Sequence, residues 1–186
     1  MILLGAAMVL FAACAGLPAR GSQPMATSDQ PPTVAPPPVL GRAAGFDQGE
    51  VWLNGPPLAM ADLRGRVVLV VFWTFGCVNC QRLMPHVQAW QADYGADGLT
   101  VVAVHRPEFR YERDVDALQA FVRQNKIGVP VVVDGTGQIA AAYGQWDWPT
   151  LFVVDKGGNI RYKRIGEGAY AETTAAIELL LAEPPP

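Results

Sequence analysis

The chain has 186 residues, of which 51% are hydrophobic and 17% are charged, and its net charge is −3. This composition excludes a coiled coil, a disordered chain and a multi-span membrane protein. A nucleic-acid-binding protein is excluded as well, because there is no broad basic field to neutralise phosphates. Three cysteines are too few for a disulfide scaffold, and their odd number requires an explanation.

The amino-terminal segment predicts export. Residues 1–13 are uncharged and largely apolar, and they end in two alanines before Cys14, as in the lipobox of bacterial lipoproteins. Phe11 stands where leucine is usual, and no basic residue precedes the apolar run, so an uncleaved anchor and simple cleavage remain alternatives to lipidation of Cys14. Under all three interpretations we expect an exported protein of the periplasm or cell envelope. Lipidation of Cys14 or an uncleaved anchor would attach it to the membrane.

Residues 14–40 combine the lipid-anchor candidate with a proline-rich stretch. Seven prolines lie between positions 18 and 40, and the other residues there are mostly small or polar. Such a segment buries too little apolar surface to offset its ordering entropy, so we predict a disordered, semi-extended linker. The globular part then covers residues 41–183, the size of one domain.

Within 41–183 the sequence predicts an α/β domain with a mixed sheet, because strand and helix patterns alternate before a final hairpin and helix. The apolar run 66–73 is typical of a central strand buried on both faces. The expected elements in chain order are a strand at 50–53, alone or in a hairpin through Asn54-Gly55, the strand 66–73, a helix at 78–94 interrupted only by Pro85, a strand at 99–104, a helix at 113–126, a strand at 129–134, a helical turn at 137–143, strands at 150–155 and 159–165 joined by Lys156-Gly157-Gly158, and a helix at 170–182.

A C-x-x-C motif, Cys77 to Cys80, lies between the buried strand and the helix that follows it. The unpaired N–H groups and the partial positive charge of a helix N-terminus stabilise a thiolate on the first cysteine. Two intervening residues allow the sulfurs to form a disulfide within the first turn. The motif therefore predicts Cys77 as the attacking thiol and Cys80 as the resolving thiol.

Two other uses of the motif are weaker. A zinc site would need two further ligands, but the chain has only His86 and His105 and no second C-x-x-C, and we expect both histidines to be structural or surface residues. A purely structural disulfide across this spacing would constrain almost no chain. We therefore expect a redox-active dithiol, with no metal and no organic cofactor.

Residues 72–87, FWTFGCVNCQRLMPHV, resemble the thioredoxin-like superfamily. The resemblance is to its TlpA-like and redoxin (AhpC/TSA-type) branch, and especially to the thioredoxin-like domain of DipZ-type proteins, where that domain is fused to a CcdA-like membrane electron carrier. It extends over about 62–181 and includes residues 104–109, 148–149 and 166–170.

The resemblance implies a thioredoxin-like fold, a central mixed β-sheet flanked by helices, and thiol–disulfide oxidoreductase activity. It implies a cis bond before Pro149, facing the dithiol across a groove, where the backbone of Trp148 would pair with an extended substrate. An ordinary trans proline that begins a strand is the alternative. By the same resemblance, a CcdA-like membrane protein would supply electrons, and exported thiol or disulfide proteins such as cytochrome c precursors would receive them.

One expected group is missing. The buried acid of thioredoxin aligns with Val71, and the glutamate that TlpA-like reductases often carry three residues after the second cysteine is replaced by Leu83. We predict that Glu108 substitutes as the proton shuttle, because the strand 99–104 should end at the same sheet edge as Cys77. A solvated loop acid is the alternative interpretation of Glu108.

Two other functions remain open besides disulfide exchange in the reducing direction. Thr74 lies three residues before Cys77, as in the T-x-x-C of peroxiredoxins, but Val70 stands where their proline is expected, so a thiol peroxidase is only an alternative. The other is a non-catalytic envelope binding module on a thioredoxin scaffold. The direction of electron flow is not set by the sequence, because Val78-Asn79 brings no charged group near the thiols.

Overall fold

The structure is a computed structural model that describes residues 36–185. Cys14, the predicted signal segment and most of the predicted linker lie outside the described residues. Within 36–185 the elements are β1 (Gly41–Arg42), β2 (Val51–Leu53), β3 (Val67–Trp73), α1 (Val78–Tyr94), β4 (Leu99–His105), a 3₁₀ turn (Arg110–Arg113), α2 (Val115–Gln124), β5 (Val131–Val133), α3 (Gln138–Ala142), β6 (Thr150–Val154), β7 (Asn159–Ile165) and α4 (Tyr170–Ala182).

The strands form one mixed seven-stranded sheet in the order β1-β7-β6-β3-β4-β5-β2. The pairs β3–β4 and β4–β5 are parallel, and the other four pairs are antiparallel. Parallel strands end at the same edge of the sheet, so the residues that follow β3, β4 and β5 are brought together there. The C-x-x-C motif follows β3 at this edge.

Every residue of the central strand β3 is buried, which explains its unbroken apolar run. Val67, Leu69, Val71 and Trp73 pack in a core with residues of α1, α2 and α4. The alternate positions of β3 pack on the other face with α3 and the segment that precedes β3. Two cores therefore hold β3 and fix the point at which the chain turns into α1.

The predicted order of elements is confirmed from 66 to 182. The helices at 78–94 and 170–182 and the strand at 159–165 have their predicted bounds, and the β6–β7 hairpin turns at Lys156-Gly157-Gly158 as expected. The strand predicted at 99–104 extends by one residue to His105. The strand predicted at 129–134 is shorter, since Pro130 has no N–H to donate to a ladder.

Of the two alternatives for the strand at 50–53, the structure shows the strand without the hairpin. β2 pairs with β5 far along the chain, and Asn54 donates its side-chain amide to Ile127 O and Val129 O. One prediction needs correction. The helix predicted at 113–126 begins later. Asp114 is its N-cap and accepts hydrogen bonds from the N–H groups of Asp116 and Ala117, which leaves a separate 3₁₀ turn before it.

The first described residues join the sheet at the end opposite the C-x-x-C motif. β1 pairs with the start of β7, and Arg161 donates to Pro37 O at 2.7 Å while it forms ion pairs with Asp155 and Glu183. The other end of β7 leads to Gly166, whose N–H donates to Pro149 O at the motif's edge of the sheet. None of the helices between residues 36 and 185 has the length and apolar character that crossing a membrane requires.

Candidate active site

The two cysteines lie at the junction of β3 and α1. Cys77 is the N-cap of α1, and its Sγ accepts a hydrogen bond from the Cys80 N–H at 3.3 Å. Both are free thiols; Cys77 is partly exposed and Cys80 is fully buried. Only the first thiol is therefore accessible to another protein, and it is the one that receives an amide of the helix N-terminus.

Cys80 is held as a neutral thiol. Burial raises the pKa of Cys80 far above its ordinary value, and the hydrogen bond with Cys77 and the charges of Cys77 and Glu112 act in the same direction. The backbone amide of Thr74 opposes them but does not outweigh burial. A resolving thiol in this setting needs a group that accepts its proton when it reacts.

Glu112 is the buried acid at this site, and no sequence motif points to it. Its side chain is 1% exposed. Oε1 accepts from the Gly76 N–H at 3.1 Å, and Oε2 accepts from the Glu108 and Phe109 N–H groups at 2.7 and 2.9 Å. One carboxylate thus joins the turn before Cys77 to the loop that follows β4.

Gly76 makes this approach possible. A Cβ at position 76 would lie 2.2 Å from Glu112 Oε1 and 2.2 Å from the Tyr111 hydroxyl, closer than such atoms pack. Any other residue would therefore displace the carboxylate or the tyrosine. The glycine directly before Cys77 is a signal in the sequence that could have indicated a close neighbour here.

The structure does not place Glu108 as predicted. Its side chain is exposed, and only its backbone N–H reaches the site, as a donor to Glu112. The chain enters the 3₁₀ turn soon after Pro107, which leaves Glu108 in solvent and brings Glu112 inward. The carboxylate near the dithiol is therefore Glu112, and the solvated-loop interpretation of Glu108 fits the structure.

Thr74 and His105 form a buried polar pair behind the motif. Thr74 Oγ1 lies 3.3 Å from His105 Nε2, and the imidazole stacks on Phe75 with ring centroids 5.6 Å apart. Burial lowers the pKa of His105 to about 4, although the charge of Glu112 acts in the opposite direction. His105 is thus a neutral core residue, whereas His86 is exposed and stacks on Tyr170.

The Trp148–Pro149 peptide bond is cis, which confirms the bond type that the resemblance implies. Thr150 pairs with Phe72, so Pro149 lies beside the end of β3. The Trp148 indole donates to Arg106 O at 3.1 Å, and the Arg106 guanidinium lies 4.8 Å from the Trp148 ring. No hydrogen bond among residues 36–185 uses the backbone N–H or C=O of Trp148.

Trp148, Phe75 and Cys77 are all partly buried against the core on the α1 face of the sheet. Around them, Val78, Phe109, Tyr111 and Trp146 are exposed apolar side chains. Among residues 36–185, no three His, Cys, Asp or Glu side chains converge. The arrangement offers two thiols, a buried carboxylate and a free backbone segment.

Comparison with known proteins identifies the family. The profile of the AhpC/TSA family matches residues 48–163. The chain belongs to the AhpC/TSA family. This match confirms the redoxin branch that the motifs around Cys77 indicate.

Individual relatives and solved structures agree with this family assignment. The chain is 35% identical to Protein DipZ of Mycobacterium tuberculosis over 138 residues, which are 73% of this chain and 20% of DipZ. It is 30% identical to the thiol-disulfide oxidoreductase ResA of Bacillus cereus over 115 residues, 62% of this chain and 64% of ResA. The crystal structure of the thioredoxin-like superfamily protein SPOA0173 superposes with a TM-score of 0.73 and 28% identity, over 78% of this chain and 99% of that one.

These likenesses confirm the thioredoxin-like fold, the resemblance to DipZ and the class of enzyme, a thiol–disulfide oxidoreductase of the thioredoxin and redoxin type. The chain spans only a fifth of DipZ, so the activity and partners of that longer protein are not carried over as findings.

The neutral His105 predicts a loss of stability in acid. Its pKa is about 4 in the folded chain, against an ordinary value near 6.5, so the unfolded state binds more protons between these pH values. Stability is therefore complete above pH 6.5 and falls as the pH drops toward 4. From pH 6.5 to pH 5 this loss amounts to about 2 kcal/mol in the free energy of unfolding.

We expect His105→Gln, which retains a polar group toward Thr74, to remove this part of the pH dependence. Chemical denaturation at pH 7 and pH 5 measures it. His86→Gln is the control for loss of an imidazole at an exposed position and should keep the wild-type dependence. An equal loss in wild type and His105→Gln would show that the buried imidazole is not its cause.

Proposed function

We propose that Cys77 and Cys80 are the redox-active pair of this enzyme and exchange disulfides with exported proteins. The observation that carries the proposal is the asymmetry of the two thiols. Cys77 is partly exposed at the N-terminus of α1, and Cys80 is buried directly beneath it with its N–H on the Cys77 sulfur. An accessible nucleophile over a shielded resolving thiol is the arrangement that two-step exchange requires.

In the reducing direction, the Cys77 thiolate attacks one sulfur of a partner disulfide. A bond forms between Cys77 and that sulfur, the partner's S–S bond breaks, and the other partner sulfur leaves as a thiolate. Cys80 then gives up its proton and attacks the Cys77 sulfur, which forms the Cys77–Cys80 disulfide and releases the second partner thiolate. Two electrons pass to the partner, and a reductant must restore the dithiol.

The partner segment would bind along Trp148. The backbone N–H and C=O of Trp148 have no partner within residues 36–185 and can pair with an extended chain. The exposed side chains of Val78, Phe109, Tyr111 and Trp146 offer apolar contacts to such a segment. We therefore propose Trp148 and Pro149 as substrate-binding residues and an extended polypeptide as the substrate.

Trapping of the mixed disulfide between the enzyme and a substrate protein tests the proposal. With Cys80→Ser, we expect a mixed disulfide between Cys77 and an oxidised protein substrate to accumulate, because no thiol resolves it. With Cys77→Ser, we expect none, since Cys80 is buried. Non-reducing gels and intact-mass spectrometry measure the adduct, and steady-state reduction by both variants should fall to the background rate. Adduct formation through Cys80 alone would contradict the assigned roles.

The second candidate is a thiol peroxidase, which the spacing of Thr74 and Cys77 favours. Against it, the Thr74 hydroxyl is buried and lies against His105. In the wild-type protein, we expect hydrogen peroxide to consume the Cys77 thiolate more slowly than a protein disulfide does. A pair that cycles with neither oxidant would instead favour the binding-module alternative.

For the direction of electron flow, we propose a reductase. It receives electrons from a CcdA-like membrane protein and passes them to exported proteins such as cytochrome c precursors. The likeness to DipZ supports this choice. We expect the reduction potential of the Cys77–Cys80 pair, measured in glutathione buffers, to lie near thioredoxin's value of about −270 mV. A potential near that of DsbA, about −120 mV, would indicate an oxidase.

We also propose export, with Cys14 as a lipid anchor in the cell envelope. The apolar segment before Cys14 and the prolines after it support this, as does the attachment of residues 37–42 to the end of the sheet remote from Cys77. Mass spectrometry of the membrane-bound protein should find a chain that begins at a lipidated Cys14. We expect Cys14→Ser to stay uncleaved, and an unmodified Cys14 in the mature protein would contradict the anchor.

A further inference from the structure

Glu112 is unusual among the buried acids of this protein. Asp134 and Asp155 are also buried, and they satisfy backbone amides at the start of α3 and in the β6–β7 turn. Glu112 is the buried acid bound to the turn that carries the C-x-x-C motif, and no lysine or arginine forms an ion pair with it in the described region. Three backbone amides donate to its carboxylate, and the Tyr111 hydroxyl lies beside it.

The three amides come from two separate parts of the chain. Gly76 belongs to the turn after β3, and Glu108 and Phe109 belong to the loop after β4. Gly76 leaves just enough room for the carboxylate, because a Cβ there would lie 2.2 Å from Oε1. The position of the turn next to Cys77 therefore depends on Glu112, and the position of Glu112 depends on Gly76.

We propose that Glu112 is a positioning residue for the Cys77–Cys80 pair, which holds the turn at Gly76 and places a fixed negative charge beside the buried thiol. The inference rests on the proposed function. It assigns the role that the sequence left vacant at Val71 and Leu83, both of which are buried in the apolar core.

The charge has a definite effect on the dithiol. The groups that act on Cys80 are Cys77, the Thr74 amide and Glu112, and the nearby His105 is neutral. Of these groups, Glu112 carries the negative charge that is independent of the dithiol, and it contributes to the raised pKa of Cys80. Because Cys80 stays neutral in the reduced form, Glu112 acts on the potential through the charge that it holds at Gly76, directly before Cys77. A negative charge there disfavours a thiolate, which destabilises the reduced form and makes the pair more reducing.

We expect Glu112→Gln to make the pair more oxidising, because the charge is lost and an amide cannot accept from all three N–H groups. The equilibrium constant for oxidation by glutathione should fall about tenfold, equivalent to ~30 mV. The pH profile for resolution of a mixed disulfide should move to lower pH. Both are measured by thiol trapping, with circular dichroism to check the fold.

Two matched variants separate charge from position. Asp116→Asn removes one charge from an exposed site four residues along the chain and should keep the wild-type potential and pH profile. Glu112→Asp keeps the charge with a shorter side chain. Its potential and pH profile should therefore stay closer to wild type than to Glu112→Gln. Should Glu112→Gln fail to fold, Gly76→Ala provides the second route, because its Cβ displaces the carboxylate and should raise the potential in the same direction.

A folded Glu112→Gln with wild-type potential and wild-type pH profile would overturn the positioning role. So would an equal shift in Asp116→Asn, since the effect would then be one of net charge. Failure of the wild-type protein to form a Cys77–Cys80 disulfide with glutathione would instead contradict the proposed function itself.

Discussion

Burial of β3 on both faces is the constraint on which the site depends. Its alternate residues pack into two separate cores, so the strand can neither shift along its axis nor rotate. The turn that leaves it at Trp73 therefore starts α1 at a fixed place, with Cys77 as the N-cap. The parallel alignment of β4 brings the loop after His105 to the same edge, and the antiparallel β6 brings Pro149 there.

The same geometry makes the two thiols chemically different although only two residues separate them. Cys77 receives an amide at a helix N-terminus and remains accessible, whereas Cys80 is enclosed by the core of the sheet. Burial keeps Cys80 neutral, and the carboxylate of Glu112 adds to that effect. The helix N-terminus and the core packing supply the electrostatics on which we base the proposed exchange.

Much of the fold could be predicted because its signals are local. Continuous apolar residues identify β3, helical spacing identifies α1, and a Lys-Gly-Gly turn identifies the β6–β7 hairpin. The short edge strands were harder to predict. β2 pairs with β5 about eighty residues away, and β1 has two residues, so neither the partner nor the strand itself leaves a pattern in the chain. Asp114 caps α2 and so separates it from the 3₁₀ turn that the sequence pattern joined to the helix.

The sequence by itself determined an α/β domain with a C-x-x-C at a strand-to-helix junction, and its family resemblance implied the class of enzyme. It also showed that the usual acid positions, Val71 and Leu83, are apolar. Only the tertiary structure decided which carboxylate lies next to the turn that carries the dithiol. Glu108 is closer to the end of β4, but the 3₁₀ turn directs Glu112 inward to Gly76, thirty-six residues away. Such a contact depends on how two loops meet at one sheet edge, and neither loop carries a local pattern that records it.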